Sequence, residues 1–132
     1  MENLQLRIVS EGQNLGNGIL KVDGFINHQI DTHLMIEVGC ELAQHFEDAN
    51  VTKVITAEIS GIAPALATAH ALNVPVIYRR RTRPVTMTGP VFVEVAPSHT
   101  KGRDVFLMVC TEFLGQAIAC LLLMVLWHLE PR

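Results

Sequence analysis

Residues 54–78, VITAEISGIAPALATAHALNVPVIY, decide the fold. Three β-compatible residues at 54–56 precede a tight loop at 57–61. Apolar side chains then recur at helical spacing, at Ile62, Leu66, Ala69 and Leu72. Pro64 falls in the first turn of this predicted helix, where a missing N–H costs little. Because a second β-like run follows at 74–78, the stretch predicts a parallel βαβ unit and an α/β fold.

The loop before the predicted helix is suited to bind an anion. A short loop at the carboxyl end of a parallel strand, opening a helix, points free N–H groups at one place. Ser60 and Gly61 are small, so a phosphate could approach the backbone closely. The motif is weak alone, because many such turns carry glycine for packing only.

A second anion signal follows Tyr78. Residues 79–83 read Arg-Arg-Arg-Thr-Arg and hold four of the ten basic residues. Such a run is usually a solvated face. This one leaves the carboxyl end of a predicted parallel strand, beside the loop, and ligands of open α/β sheets bind along that edge. The two signals together favour a phosphate site.

Composition narrows the possible functions. A chain of 132 residues makes one domain, and its net charge of -3 gives no general reason to expect nucleic acid or an anionic membrane as partner. Three widely spaced cysteines without a CxxC motif favour a reducing, cytoplasmic location. The six histidines show no metal-ligand spacing, so no metal site is predicted. We expect no signal peptide.

The N-terminal third is less regular. Residues 1–12 predict a short helix ending near Gly12, followed by a turn at 16–18 and a strand at 19–22. Residues 21–31 lack periodicity and read as a surface loop covering the domain. Asp31 or Thr32 would cap the next helix. Its apolar stripe comprises Leu34, Val38, Leu42 and Phe46, with Met35 and Cys40 expected to be packing residues.

The region after the arginines alternates β-like residues with turn formers. Residues 84–100 predict either an irregular β-hairpin or a long mobile loop, and 105–109 a further strand.

Three segments resemble the bacterial xanthine phosphoribosyltransferases of the type I phosphoribosyltransferase family: LKVDGFINHQID at 20–31, EISGIAPA at 58–65 and VPVIYRRR at 74–81. The resemblance covers roughly residues 1–114. It implies a single phosphoribosyltransferase domain: a parallel sheet with flanking helices, an N-terminal hood at 1–31, and a core βαβ unit plus flexible loop at 51–114. It also implies a cytosolic homodimer that converts xanthine and phosphoribosyl pyrophosphate (PRPP) to xanthosine monophosphate and pyrophosphate in purine salvage.

The resemblance assigns roles residue by residue. Leu20 and Asn27 match the family's xanthine contacts, and an Asn amide offers both donors and an acceptor to a keto purine. The pyrophosphate loop corresponds to Glu58, Ile59, Ser60 and Gly61. Arg80 and Arg81 match the usual Arg-Lys pair, so that Arg here replaces Lys and changes the donor geometry.

The resemblance also implies what accompanies the reaction. Residues 84–100 correspond to the loop that closes over the reacting centre. No tightly bound cofactor is expected. Mg²⁺ is expected with PRPP, without an assignable protein ligand.

The resemblance stops after about Leu114. Residues 115–132 contain neither the family's acidic pair nor its Thr/Gly-rich 5-phosphate loop. When the tail is back-translated and read in another frame, permitted codons give a strand, an acidic residue and a small-residue loop in the expected place. We therefore expect a truncated or frameshifted form, incomplete at its C-terminus, with an aberrant apolar tail. A natural extension or an apolar core strand is the alternative, and residues 119–126 could still fill the next central strand position.

Two further interpretations compete with an active transferase. One is a catalytically dead domain that senses PRPP or purines, and the other is a frameshift product without a function. Even if the chain is a form of a xanthine phosphoribosyltransferase, we expect little or no transferase activity from it, because the 5-phosphate motif is missing.

Overall fold

The computed structural model describes residues 1–98, 103–115 and 120–123. Helix α1, Glu2–Glu11, ends at Gly12 as predicted. Strands β1, Gln13–Gly16, and β2, Ile19–Lys21, then form an antiparallel hairpin. Its turn is confirmed by positive φ angles at Gly16, Asn17 and Gly18, because Gly and Asn adopt the left-handed region most readily.

The segment after β2 is more buried than its sequence suggests. Asp23–Asn27 form a π-helical turn in which Phe25 and Ile26 are buried. The predicted surface loop is therefore wrong for these two side chains. They belong to an apolar hood core that also contains Val22 and three residues of the following helix, Leu34, Met35 and Val38. One helical turn is too short to give a visible periodicity.

Helix α2, Thr32–Gln44, begins where the sequence predicts. Asp31 is its N-cap and accepts a hydrogen bond from the Leu34 N–H at 3.1 Å. This bond, assisted by the nearby Arg7 guanidinium, lowers the pKa of the Asp31 carboxyl. Met35 is buried as expected. Cys40 is exposed, so the prediction that it packs is wrong, because it falls on the solvent side of α2.

The predicted βαβ unit is present. Strand β3, Lys53–Ala57, helix α3, Ile62–Leu72, and strand β4, Val76–Arg79, form it, and the two strands pair in parallel. Val54 packs on α3. Helix α2 crosses α3 closely, since a Cβ on Gly39 would lie 2.4 Å from the Ala67 Cβ.

A β-hairpin follows the arginine run. Strands β5, Val91–Ser98, and β6, Arg103–Cys110, pair antiparallel. The described part of residues 84–100 thus supplies one strand, which pairs with the strand predicted at 105–109 instead of forming a hairpin by itself. Reciprocal backbone hydrogen bonds of 2.8 Å between Arg80 and Met108 join this hairpin to the end of β4.

A short helix, α4 at Thr111–Leu114, leads towards strand β7, Cys120–Leu123. Strand β7 pairs in parallel with β3, giving the order β4-β3-β7. Part of the apolar tail therefore does occupy the neighbouring strand position, and the fold is α/β. In the described ranges, no helix is long and apolar enough to cross a membrane.

Candidate anion-binding site

The two predicted anion signals meet at one edge of the sheet. We call residues 58–61 the anion loop and residues 79–81 the arginine segment. The loop follows β3, and the segment begins at the last residue of the adjacent parallel strand β4. The Glu58 N–H donates to the Arg79 carbonyl at 3.1 Å. The parallel register therefore places both at the carboxyl ends of the strands.

The Glu58 side chain ties the loop to the arginine segment. Its Oε1 accepts from the backbone N–H of Arg81 at 2.8 Å, and its Oε2 lies 3.2 Å from Arg80 Nε. The Glu58 side chain is only 17% exposed. Nothing in the sequence signals this cross-link, because the partners are more than 20 residues apart.

The middle of the anion loop is accessible. Ile59 is exposed, Ser60 is half-buried, and the Glu58–Ile59 peptide bond is cis. Among the residues that the structure describes, none accepts a hydrogen bond from the N–H or hydroxyl of Ser60. These two donors are available to a ligand at the start of α3, where the helix dipole favours negative charge.

Gly61 has a packing role. Its φ of -76° is open to any residue, so conformational freedom does not explain the glycine. Its backbone is buried, and a Cβ at this position would lie 2.1 Å from Thr56 Oγ1 and 3.1 Å from the Ala57 carbonyl oxygen. The glycine thus lets α3 start directly against β3, which holds the neighbouring Ser60 at the sheet edge.

The four arginines of the basic run have different partners. Arg79 pairs with Glu94 of β5, and Arg83 donates to the carbonyls of Met87 and Gly89. The Arg80 guanidinium lies over the Tyr78 ring at 5.7 Å. The Nε atoms of Arg79, Arg80 and Arg81 are buried without a hydrogen-bond partner in the described part of the chain. Arg80 and Arg81, which the Glu58 side chain contacts, therefore both carry an unsatisfied guanidinium donor.

The predicted base-binding residues lie in the hood. Leu20 is half-buried against the hood core, and Asn27 is exposed at the end of the π-helical turn. Ala63, in the first turn of α3, packs on the same core, so the hood adjoins the helix that the anion loop opens. Within the described ranges, no hydrogen bond or ion pair joins Leu20 or Asn27 to the loop or the arginine segment, and their role stays a prediction.

The arrangement suits an anion better than a bare metal ion. In the described part of the chain, no three His, Cys, Asp or Glu side chains are grouped so as to hold a metal. The donors at the edge are N–H, hydroxyl and guanidinium groups, which match the oxygens of a phosphate or diphosphate.

The chain is similar to known phosphoribosyltransferases, although no family model matches it. A xanthine phosphoribosyltransferase of Deinococcus deserti is 51% identical over 108 residues, covering 82% of this chain and 56% of that protein. A xanthine phosphoribosyltransferase of Clostridium botulinum is 41% identical over 116 residues, covering 88% of the chain and 61% of the relative. The chain thus spans between a half and two thirds of the length of these relatives.

Solved structures support the fold. The adenine phosphoribosyltransferase of Giardia lamblia, complexed with 9-deazaadenine, superposes with a TM-score of 0.56 at 21% identity, covering 70% of this chain and 49% of that one. A second adenine phosphoribosyltransferase gives 0.51 at 18% identity, covering 82% and 62%. At these identities the similarity shows a phosphoribosyltransferase fold alone. The much closer sequence matches make more than four fifths of this chain similar to xanthine phosphoribosyltransferases.

Proposed function

We propose that this chain carries the pyrophosphate-binding and base-binding parts of a purine salvage phosphoribosyltransferase, which converts xanthine and PRPP to xanthosine monophosphate and pyrophosphate. The names of the 41–51% identical relatives support the reaction class. The homodimeric state and the cytoplasmic location that the family implies remain predictions.

One observation supports the diphosphate site above the others. The Glu58 cross-link holds the anion loop against the arginine segment, and in the described part of the chain the Ser60 donors and the Nε atoms of Arg80 and Arg81 have no hydrogen-bond partner. A diphosphate leaving group gains negative charge as its bond to ribose breaks. Prepositioned N–H and guanidinium donors stabilise that charge, and the reaction needs no covalent nucleophile. Mg²⁺ would arrive with PRPP as part of the substrate.

The hood would bind the purine base. Asn27 presents an exposed amide next to the buried residues of the π-helical turn, and Leu20 supplies an apolar surface on the neighbouring strand β2. An amide that donates and accepts suits the keto groups of xanthine. Asn27→Ala would then weaken xanthine binding while leaving pyrophosphate binding unchanged.

We expect little turnover from the chain of 132 residues. Residues 115–132 contain a single acidic residue, Glu130, and no Ser or Thr. They therefore lack the acidic pair and the Thr/Gly-rich loop that the resemblance leads us to expect for the ribose hydroxyls and the 5-phosphate. If the chain binds PRPP without forming xanthosine monophosphate, it acts as the catalytically dead, PRPP-sensing domain that is the alternative to a transferase.

Titration calorimetry with Mg²⁺-pyrophosphate tests the proposed site. Arg80→Gln should weaken binding at least about tenfold, because a hydrogen bond between charged groups contributes roughly 1.5–3 kcal/mol. Arg83→Gln is the matched control. It removes the same charge three residues away, from a guanidinium bonded to the Met87 and Gly89 carbonyls, and it should change the affinity less than threefold.

Three outcomes decide the proposal. Equal losses for the two variants would show a general charge effect, and no binding by the wild-type chain would refute the site. Formation of xanthosine monophosphate, followed by chromatography, is measured separately, and rapid turnover would contradict the expected inactivity of this form.

A further inference from the structure

Glu58 places a negative charge inside a site that the proposed function assigns to an anion. The Glu58 side chain is 17% exposed, and its Oε2 lies 3.2 Å from Arg80 Nε. An ionised carboxylate at that position repels an incoming diphosphate and also neutralises part of the charge that attracts it. The side chain therefore needs a role other than direct contact with the ligand.

The two carboxylate oxygens make contacts of different quality. Oε1 accepts from the Arg81 N–H at 2.8 Å, within the usual range of a backbone hydrogen bond. Oε2 is close enough to Arg80 Nε for an ion pair, yet that Nε has no hydrogen bond among the described residues. The first contact anchors the side chain. The second is loose, and an anion that approaches the guanidinium with better alignment can replace it.

From this asymmetry we propose that Glu58 is an internal counter-ion of the arginine segment, and that it regulates anion affinity at the proposed pyrophosphate site. In the empty site it keeps Arg80 in place beside the loop. When a diphosphate binds, Arg80 exchanges the Glu58 Oε2 for a ligand oxygen, while the Oε1 bond to Arg81 persists. The inference rests on the proposed function, because it assumes that the ligand of Arg80 is a diphosphate.

The proposal predicts that mutation of Glu58 changes the ligand affinity in the opposite direction from mutation of a purely structural residue. Losing a structural support weakens ligand binding, whereas removing a competing charge strengthens it. Glu58→Gln keeps an oxygen that can accept from the Arg81 N–H, and it removes the negative charge beside Arg80. For a unit charge several ångströms from the ligand, partly screened by solvent, we expect pyrophosphate affinity to rise roughly tenfold.

The experiment is titration of the full chain with Mg²⁺-pyrophosphate, comparing wild type with Glu58→Gln and Glu94→Gln. Glu94→Gln is the matched control. It also removes one negative charge, from a carboxylate that is paired with the neighbouring Arg79. We expect tighter binding for Glu58→Gln and less than a twofold change for Glu94→Gln. Amide exchange by NMR adds a second readout: the Arg81 N–H should stay protected in Glu58→Gln and lose protection in Glu58→Ala.

Several results would overturn the proposal. Unchanged or weaker binding by Glu58→Gln, with normal binding by wild type, would refute the counter-ion role and leave the pyrophosphate site standing. An equal rise in pyrophosphate affinity in Glu94→Gln would show that the effect comes from the net charge of the protein and not from the position of Glu58. If neither wild type nor Glu58→Gln binds pyrophosphate, the proposed function fails and this inference fails with it.

Discussion

Gly61→Ala should destabilise the fold at the base of the anion loop. The added Cβ would lie 2.1 Å from Thr56 Oγ1, so the two atoms must separate by more than about 1 Å to reach ordinary contact. Thr56 is only 1% exposed, and the Ala57 carbonyl oxygen, at 3.1 Å, blocks a small sideways shift. Either the Thr56 side chain leaves its position or the start of α3 moves off the sheet.

We expect Gly61→Ala to lower the free energy of unfolding by about 2–3 kcal/mol, in the upper part of the range for overpacked cores. Urea denaturation followed by circular dichroism measures it. Gly89→Ala is the control, because a Cβ there meets no atom within 4 Å and should change stability by less than about 0.5 kcal/mol.

A double mutant tests the steric explanation itself. Thr56→Ala removes the Oγ1 atom that the new methyl group would strike. The Thr56→Ala/Gly61→Ala variant should therefore be at least about 1 kcal/mol more stable than the sum of the single changes predicts. Additive losses, or a Gly61→Ala variant as stable as Gly89→Ala, would refute the packing role assigned to this glycine.

Three further changes test the hood and its helices. Gly39→Ala should cost about 2–3 kcal/mol in urea denaturation, because its Cβ would meet the Ala67 Cβ at 2.4 Å, and wild-type stability would contradict the close crossing. Phe25→Ala should cost roughly 3–5 kcal/mol, whereas Phe113→Ala, at a side chain 56% exposed, should cost less than about 1 kcal/mol. The lowered pKa of Asp31 means that its carboxylate stabilises the fold above the unfolded pKa of about 3.9, and that this contribution is lost as the pH falls through the folded pKa. Asp31→Asn should therefore flatten the acid limb of a plot of stability against pH, and an unchanged acid limb would exclude that role.

Local signals predicted the elements that depend on local physics. The spacing of apolar residues after Gly61 predicted α3, Gly-Asn-Gly predicted the turn at 16–18, and Asp31 predicted the start of α2. The meeting of the anion loop with the arginine segment followed from the rule that parallel strands end at one edge. These steps need only chain periodicity and sheet topology.

The features of the fold and of the site that the sequence did not predict depend on contacts between residues far apart in the chain. The burial of Phe25 requires α1 and α2 to close over one turn, and no window of sequence shows that. The packing role of Gly61 depends on the contact between its backbone and the Thr56 side chain of the preceding strand, which only the structure shows. The Glu58 cross-link was missed for the same reason, because a single acidic residue in a loop carries no signal about which arginine it will meet.

The parallel pairing of β7 with β3 has a consequence for protein engineering. Leu123 stands opposite Thr56, so whatever peptide is attached after it must emerge on the same side as Ser60 and the arginines. A designed segment that starts after Leu123 would thus begin at the edge of the sheet where the anion loop lies, without a change to the paired strands. Because residues 53–56 hold residues 120–123 in register, such a segment can be varied independently of the sheet.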